Sequence, residues 1–193
     1  MTSELKTVGI VGGGVIGGAW AARLVLNGIN CRIFDPHPDA ERVVKEVMAN
    51  AKHAFAKLTT TPLPEPGELL FADALAAAVD GVQLVQKSVP ERLDLKQDIH
   101  AQIDAAAPVD ALIGSSTSGL LPIDIQRDLQ QPGRMFVAYP YNPVYLLPLV
   151  ELVGGAATTK SCLDRAREVY AQVGMKPVVI RKEINAFVGD CLL

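Results

Sequence analysis

Three glycines and one acid carry the clearest chemistry in this chain: Gly12, Gly14 and Gly17 in the spacing GxGxxG, and Asp35 further along. The first glycine permits a tight turn, the second lets the backbone approach a pyrophosphate with no Cβ in the way, and the third allows a helix to pack closely on a sheet. Val15 and Ile16, between the second and third glycines, join them as candidate cofactor-binding residues, and the helix that follows offers N–H groups without intrahelical partners and the positive end of its dipole to the phosphates. A carboxylate at the end of the following strand accepts hydrogen bonds from a ribose 2′-hydroxyl and repels a 2′-phosphate, so Asp35 favours NAD over NADP. Glycine-rich turns without a ligand share this spacing. The nucleotide reading rests on the strand before the turn and the helix and strand after it.

Two further segments have chemical potential. In GSSTSGL, residues 114–120, the hydroxyls of Ser116, Thr117 and Ser118 follow a strand at the end where ligands of open α/β sheets collect. They face the nicotinamide end of such a cleft, or they cap a helix starting near Pro122. In AYPYNPVYLLPLVELVGG, residues 138–155, a single acid, Glu151, stands in an otherwise apolar strand. A carboxylate buried there is costly unless it is paired or working, and burial would raise its pKa. The other reading is an edge strand with Glu151 turned to solvent.

These residues need a scaffold, and the hydrophobic pattern supplies an α/β one. Strands are expected over 8–11, 31–34, 69–72, 82–86, 111–114, 135–138, 149–153 and 177–180, alternating with helices over 19–26, 39–57, 91–104 and 161–173 and an alanine-rich helix after residue 72. That alternation implies a doubly wound, mostly parallel sheet. Residues 59–68, TTTPLPEPGE, form a loop because their prolines suit neither helix nor ladder. In the helix over 91–104, Leu95, Ile99 and Ile103 form an apolar stripe, with the charges expected on the opposite side.

Composition sets the outer bounds. The 193 residues are 49% hydrophobic and 20% charged with a net charge of −3, which gives no basic surface for nucleic acid. No apolar run approaches the length of a membrane span, and no basic-then-apolar leader opens the chain, so a cytoplasmic protein is expected. Cys31, Cys162 and Cys191 have neither metal-ligand spacing nor an even count, so no metal site or disulfide framework is expected and Cys31 is assigned to the core.

Beyond the glycine turn, the segments GIVGGGVIGGAWA, PERLDLK, SSTSGL, YNPVYLLPLVE and FVGDCLL together resemble the N-terminal domain of the L-3-hydroxyacyl-CoA dehydrogenase family, most of all its carnitine-oxidising branch. The resemblance covers nearly the whole chain. It implies a Rossmann-like domain over 1–183, NAD as cofactor, and oxidation of the 3-hydroxyl of L-carnitine, or of a related 3-hydroxy acid, to the 3-dehydro product by hydride transfer. It implies that residues 184–193 begin an all-helical C-terminal domain, otherwise absent from this chain, that would add an asparagine to the site and most of a homodimer contact. Carried over position by position, Glu91 and Lys96 match residues that contact the dinucleotide, and Ser118 matches the serine near substrate and nicotinamide. Asn142 matches the asparagine of the NP turn, and Glu151 the acid of the family's catalytic His–Glu pair.

The histidine of that pair falls at position 139, where this chain has Tyr139. An imidazole suits the task of accepting the hydroxyl proton because its unperturbed pKa, about 6.5, lies near working pH. A phenol, near 10, is a poor base at neutrality. The expectation is therefore that NAD binds while turnover is weak. Lys87 stands where the family usually has an acid and Cys191 where it usually has a basic residue, both read as drift at half-exposed sites. Tyr141 and Tyr145, with Tyr139, could line a pocket for carnitine's quaternary ammonium through cation–π contacts. The alternatives are a 3-hydroxyacyl-CoA dehydrogenase, for which the cleft-forming segments lack clustered basic residues for CoA phosphates, and a non-catalytic, crystallin-like NAD-binding module.

Overall fold

Short apolar runs punctuated by glycine and proline become the strands of one eight-stranded sheet. The computed structural model describes residues 4–58, 62–184 and 187–191. The start of the expected loop at 59–61, parts of the terminal segment (185–186 and 192–193) and the side chain of Cys191 lie outside the described residues. In chain order the elements are β1 (Thr7–Val11), α1 (Val15–Val25), β2 (Asn30–Phe34), α2 (Ala40–Leu58), β3 (Leu69–Phe71), α3 (Leu75–Val79), β4 (Leu84–Lys87) and α4 (Leu93–Ala106). There follow β5 (Leu112–Ser115), α5 (Pro122–Ile125), β6 (Met135–Pro140), β7 (Leu149–Gly154), α6 (Lys160–Gln172), β8 (Lys176–Ile180) and α7 (Val188–Cys191).

The strand order is β3-β2-β1-β4-β5-β6-β7-β8, parallel throughout except for the antiparallel β6–β7 pair. After β3 the chain returns to the other side of β1, so the connections leave β1 and β4 in opposite directions and open a crevice at their carboxyl ends. Side chains alternate across the sheet. Val8 and Ile10 join a core with α1, α2 and α6, whereas Val11, Val85 and Ile113 join a second core with α3, α4 and α5. Both faces are covered, which is why the strands read as nearly continuous apolar runs. Cys31 lies in the first core as expected, and burial pushes its thiol pKa upward.

Three expectations need correction. Helix α1 starts at Val15 rather than residue 19, because Gly17 and Gly18 sit inside it, and β4 is shifted toward the carboxyl end to include Lys87. More consequentially, α4 does not keep its charges on the solvent side: Lys96, His100, Ile103 and Asp104 face inward. These positions follow the helical repeat as faithfully as the apolar stripe does. Partners from elsewhere make the burial tolerable. Asp104 accepts hydrogen bonds from Arg134 Nη2 at 2.9 Å and from the backbone N–H groups of Gln130 and Gln131 at 2.8 and 2.9 Å. Leu95 and Ile99 instead line the crevice beside β4.

Candidate functional site

The turn after β1 is held from three sides. Gly12 donates its N–H to the Phe34 carbonyl at 2.9 Å, with φ +100°, and a Cβ there would lie 2.4 Å from the Ser88 carbonyl oxygen. At Gly17 a Cβ would lie 1.8 Å from the Gly12 carbonyl oxygen, so this glycine lets the helix close onto the turn itself as well as onto the sheet. At Gly14 it would meet nothing within 4 Å, leaving that side of the turn open to a ligand. Helix α1 begins here without a side-chain cap, so its first N–H groups remain available. Asp35 is pinned by its own neighbours: Oδ2 accepts from Gly13 N at 2.6 Å and Oδ1 from His37 N at 2.8 Å. The resulting cleft, about 750 Å³, is walled by Gly12–Ile16, Asp35, Val89, Leu95 and Ile99 among others.

Farther along the same carboxyl edge, Glu91 organises the loop after β5. Its Oε1 accepts from the Thr117 hydroxyl, from Ser118 N at 3.2 Å and from Gly119 N at 3.1 Å, while Oε2 pairs with Lys96 Nζ at 2.8 Å. Burial pulls the Glu91 carboxyl upward. Hydrogen bonds from Lys96 and Thr117, the Lys96 charge and the Gly119 N–H outweigh it and hold the group at about 2. Lys96 also donates to the Val89 carbonyl at 3.2 Å and is 1% exposed, so it lies buried behind Glu91. The 116–118 hydroxyls do not cap the next helix, whose N-cap residue is Leu121. Ser116 instead accepts from Trp20 Nε1 at 3.1 Å and Gln86 Nε2 at 2.7 Å and lies 3.0 Å from the Ser88 hydroxyl, fastening β4, β5 and α1 together.

This arrangement predicts an acid signature. Because the folded-state pKa of Glu91 lies below its unfolded value, the stabilisation is present above about pH 4.3 and is lost as pH falls through about 2. Glu91→Gln should cost about 1 kcal/mol at pH 6, allowing for solvent screening of a half-exposed carboxylate. Urea denaturation at pH 6 and pH 3 should show the difference from wild type shrinking at the lower pH. An equal difference at both would rule out the charge as its source.

Tyr139 and Glu151 are register partners across β6 and β7. Since β7 lies between β6 and β8, the edge-strand reading of Glu151 does not hold, and its side chain is 4% exposed. It accepts from Tyr141 Oη at 2.8 Å and from the N–H groups of Val188 and Gly189 at 3.1 and 2.9 Å. The Tyr139 ring packs 5.5 Å from Tyr141 and 5.6 Å from Phe187, centroid to centroid. Phe187, the first residue of the FVGDCLL segment and assigned no site role from the sequence, therefore belongs to the same group. A Cβ at Gly189 would fall 1.4 Å from Tyr141 Oη, so only glycine lets α7 approach this closely. Asn142 is exposed in the turn after β6, and Tyr145 is half-buried, packed against the first core.

Lys87 departs most from expectation. Read as half-exposed, it is fully buried, and burial followed by the nearby Lys96 charge drives its ammonium pKa well down. Among the described residues, no cluster of His, Cys, Asp and Glu could hold a metal ion, and no helix is long and apolar enough to cross a membrane.

Comparison with known proteins places this geometry. The family described as "3-hydroxyacyl-CoA dehydrogenase, NAD binding domain" matches residues 7–184. The chain is 63% identical over 191 residues to the L-carnitine dehydrogenase/betainyl-CoA thioesterase of a Rhizobium species, covering 99% of this chain and 38% of that protein. It is 54% identical to the L-carnitine dehydrogenase of Mesorhizobium japonicum, covering 99% of this chain and 53% of that one. It thus spans between about two fifths and half the length of these relatives. Among solved structures, FHMPC 5-dehydrogenase, described as an NAD+-dependent dismutase, superposes with a TM-score of 0.90 at 28% identity, covering 98% of this chain and 62% of that one. The 3-hydroxybutyryl-CoA dehydrogenase of Escherichia coli K12 shares the fold, with a TM-score of 0.81 at 22% identity over 92% of this chain and 38% of that one.

Proposed function

The chain belongs to the 3-hydroxyacyl-CoA dehydrogenase family as its NAD-binding domain, and from that premise we propose that it serves an NAD-dependent oxidation of the 3-hydroxyl of L-carnitine to 3-dehydrocarnitine. The residues present fit the cofactor: the open side of Gly14 and the uncapped start of α1 suit a pyrophosphate, and the pinned carboxylate of Asp35 suits a ribose diol. In this reading Gly12, Gly14, Val15, Ile16 and Gly17 hold the phosphates, Asp35 the ribose, and Leu95 and Ile99 give the cleft an apolar wall. Bound there, NAD supplies the acceptor for the hydrogen that leaves the substrate's carbon with its electron pair.

The chain's own residues divide the remaining work. Glu91, braced by Lys96, sets the loop that presents Ser118 to the substrate hydroxyl. Tyr139 occupies the place from which the hydroxyl proton is withdrawn, with Glu151 beside it and Asn142 at the turn. The Tyr141 ring offers a face to the trimethylammonium group. Tyr145, half-buried against the core, is the second aromatic candidate for that group. The observation that carries the reading is that the glycine cleft and the Tyr139–Glu151 pair share the carboxyl edge of one sheet. A helical domain following residue 183, cytoplasmic location and a homodimer completed by that domain belong to the same proposal.

Calorimetric titration tests the cofactor half. Asp35→Ala should weaken NAD by about 10- to 100-fold, since a hydrogen bond to a charged group contributes about 1.5–3 kcal/mol, and should narrow the preference over NADP. Unchanged NAD affinity would remove Asp35 from the site. Carnitine-dependent NADH formation, measured with this segment in a protein of the relatives' full length, tests the other half. One observation favours a second reading, binding without turnover: the Tyr139 ring is packed between Tyr141 and Phe187 at the place where the family has its base. NAD affinity without carnitine oxidation would select it.

A further inference from the structure

We propose that Lys87 is a carbon dioxide site, its buried amine taking up CO2 as a carbamate that completes the hydrogen bonding of a polar cluster between β4, β5 and α4. Lys87 ends β4 with its Nζ buried and without a hydrogen-bond partner. Its register partner on β5, Ser115, has a buried hydroxyl that is likewise unpaired. Val85 and Ile113, two residues earlier on the same strands, pack with Ile103 of α4, so Lys87 and Ser115 face that helix too. From α4, His100 and Lys96 face back toward the sheet. His100 Nδ1 lies 2.7 Å from the Lys96 carbonyl oxygen, a contact that requires the proton on Nδ1. Burial keeps this imidazole neutral, so Nε2 presents a bare lone pair, and it too is unpaired.

Lys87 Nζ, Ser115 Oγ and His100 Nε2 are thus the three buried side-chain polar atoms without a partner among the described residues, and all occupy one interlayer. Each such group costs about 1–3 kcal/mol when left unsatisfied, so their convergence asks for a common partner. A halide would suit the amine and the hydroxyl but would meet the imidazole lone pair with another. A carbamate on Lys87 has an N–H for His100 Nε2 and two oxygens for the Ser115 hydroxyl and the Lys96 ammonium.

The step balances without an oxidant or reductant. The neutral amine of Lys87 attacks carbon dioxide, an N–C bond forms, one C=O π pair moves onto oxygen, and one proton leaves nitrogen for solvent. The nucleophile is available because burial and the Lys96 charge disfavour the ammonium. Once the carbamate forms, that same charge attracts it. Of the other charges around the amine, Glu91 pairs with Lys96 and also favours the ammonium, and His100 is neutral. Ser88 and Val89, next along the chain, line the nucleotide cleft, which brings the small apolar reagent within one residue of the amine.

The test uses the 193-residue chain in 13C-labelled bicarbonate at pH 8. One protein-bound carbamate resonance is expected, approaching one equivalent and vanishing when carbon dioxide is swept out. It should be absent from Lys87→Met, whereas a carbamate on the α-amine would persist there. Trapping by O-alkylation with an oxonium reagent, followed by peptide mass mapping of the wild-type chain, should place the label on Lys87 and requires no variant to fold. No bound resonance, as expected if the cluster holds only water or an anion, or a label at any other residue, would overturn the proposal.

Discussion

Replacing Tyr139 by histidine is expected to raise carnitine-dependent NADH formation by about 10²- to 10⁴-fold, the range a positioned general base contributes. Position 139 lies at the carboxyl end of β6 directly across from Glu151, and the Glu151 carboxylate is fixed by Tyr141 and by the N–H groups of Val188 and Gly189. An imidazole placed there would titrate near working pH beside an anion that favours its protonated form. The same change removes the ring contacts to Tyr141 and Phe187, and aromatic pairs contribute about 0.5–1.5 kcal/mol each. The variant should therefore be faster and less stable, by about 1–3 kcal/mol. Rate measurements at saturating NAD, paired with thermal unfolding and made on the segment within a protein of the relatives' length, check both signs. Full activity with Tyr139 in place and no gain from histidine would show that the phenol, or another group, already serves as base.

Gly17→Ala should abolish measurable NAD binding, weakening it by about 100-fold or more, and destabilise the fold by about 1–3 kcal/mol, as overpacking does elsewhere. Its methyl carbon would lie 1.8 Å from the Gly12 carbonyl oxygen and 2.9 Å from the carbonyl carbon. The turn cannot retreat, because Gly12 is tied to Phe34 on one side and abuts Ser88 on the other. Gly14→Ala is the matched control. Its Cβ has open space, so stability should stay close to wild type while NAD affinity falls, since the methyl group would stand where the ligand approaches. Comparing calorimetric affinity with urea midpoints for the two variants separates a damaged turn from a blocked one. Equal stability for both would mean that the α1–turn contact yields more easily than its geometry indicates.

The architecture is largely legible in the amino-acid sequence. Alternating apolar runs and breakers placed all eight strands within a few residues, and the GxGxxG turn lies where β1 meets α1. What misled was polarity. Charged residues in α4 suggested a solvent face, yet Lys96, His100 and Asp104 are buried because Glu91, Arg134 and backbone groups meet them there. Lys87 was read as half-exposed because a charge at a strand end usually is, and nothing local reveals that α4 covers it. Tyr141 and Tyr145 looked equivalent in sequence. The turn between β6 and β7 sends one to Glu151 and leaves the other half-buried against the core.

The nucleotide turn, the acid that follows it, the mostly parallel α/β sheet and the family are legible in the amino-acid order alone, because each depends on local spacing and on steric limits that act between near neighbours. Only the tertiary structure decided what the polar side chains do. Glu91 reaches the 117–119 loop 26 to 28 residues away, Glu151 closes on Gly189 at a separation of 38, and Asp104 meets Arg134 at 30. A buried charge is tolerated only where its partner arrives, and the partner's arrival is a property of how the sheet and helices stack.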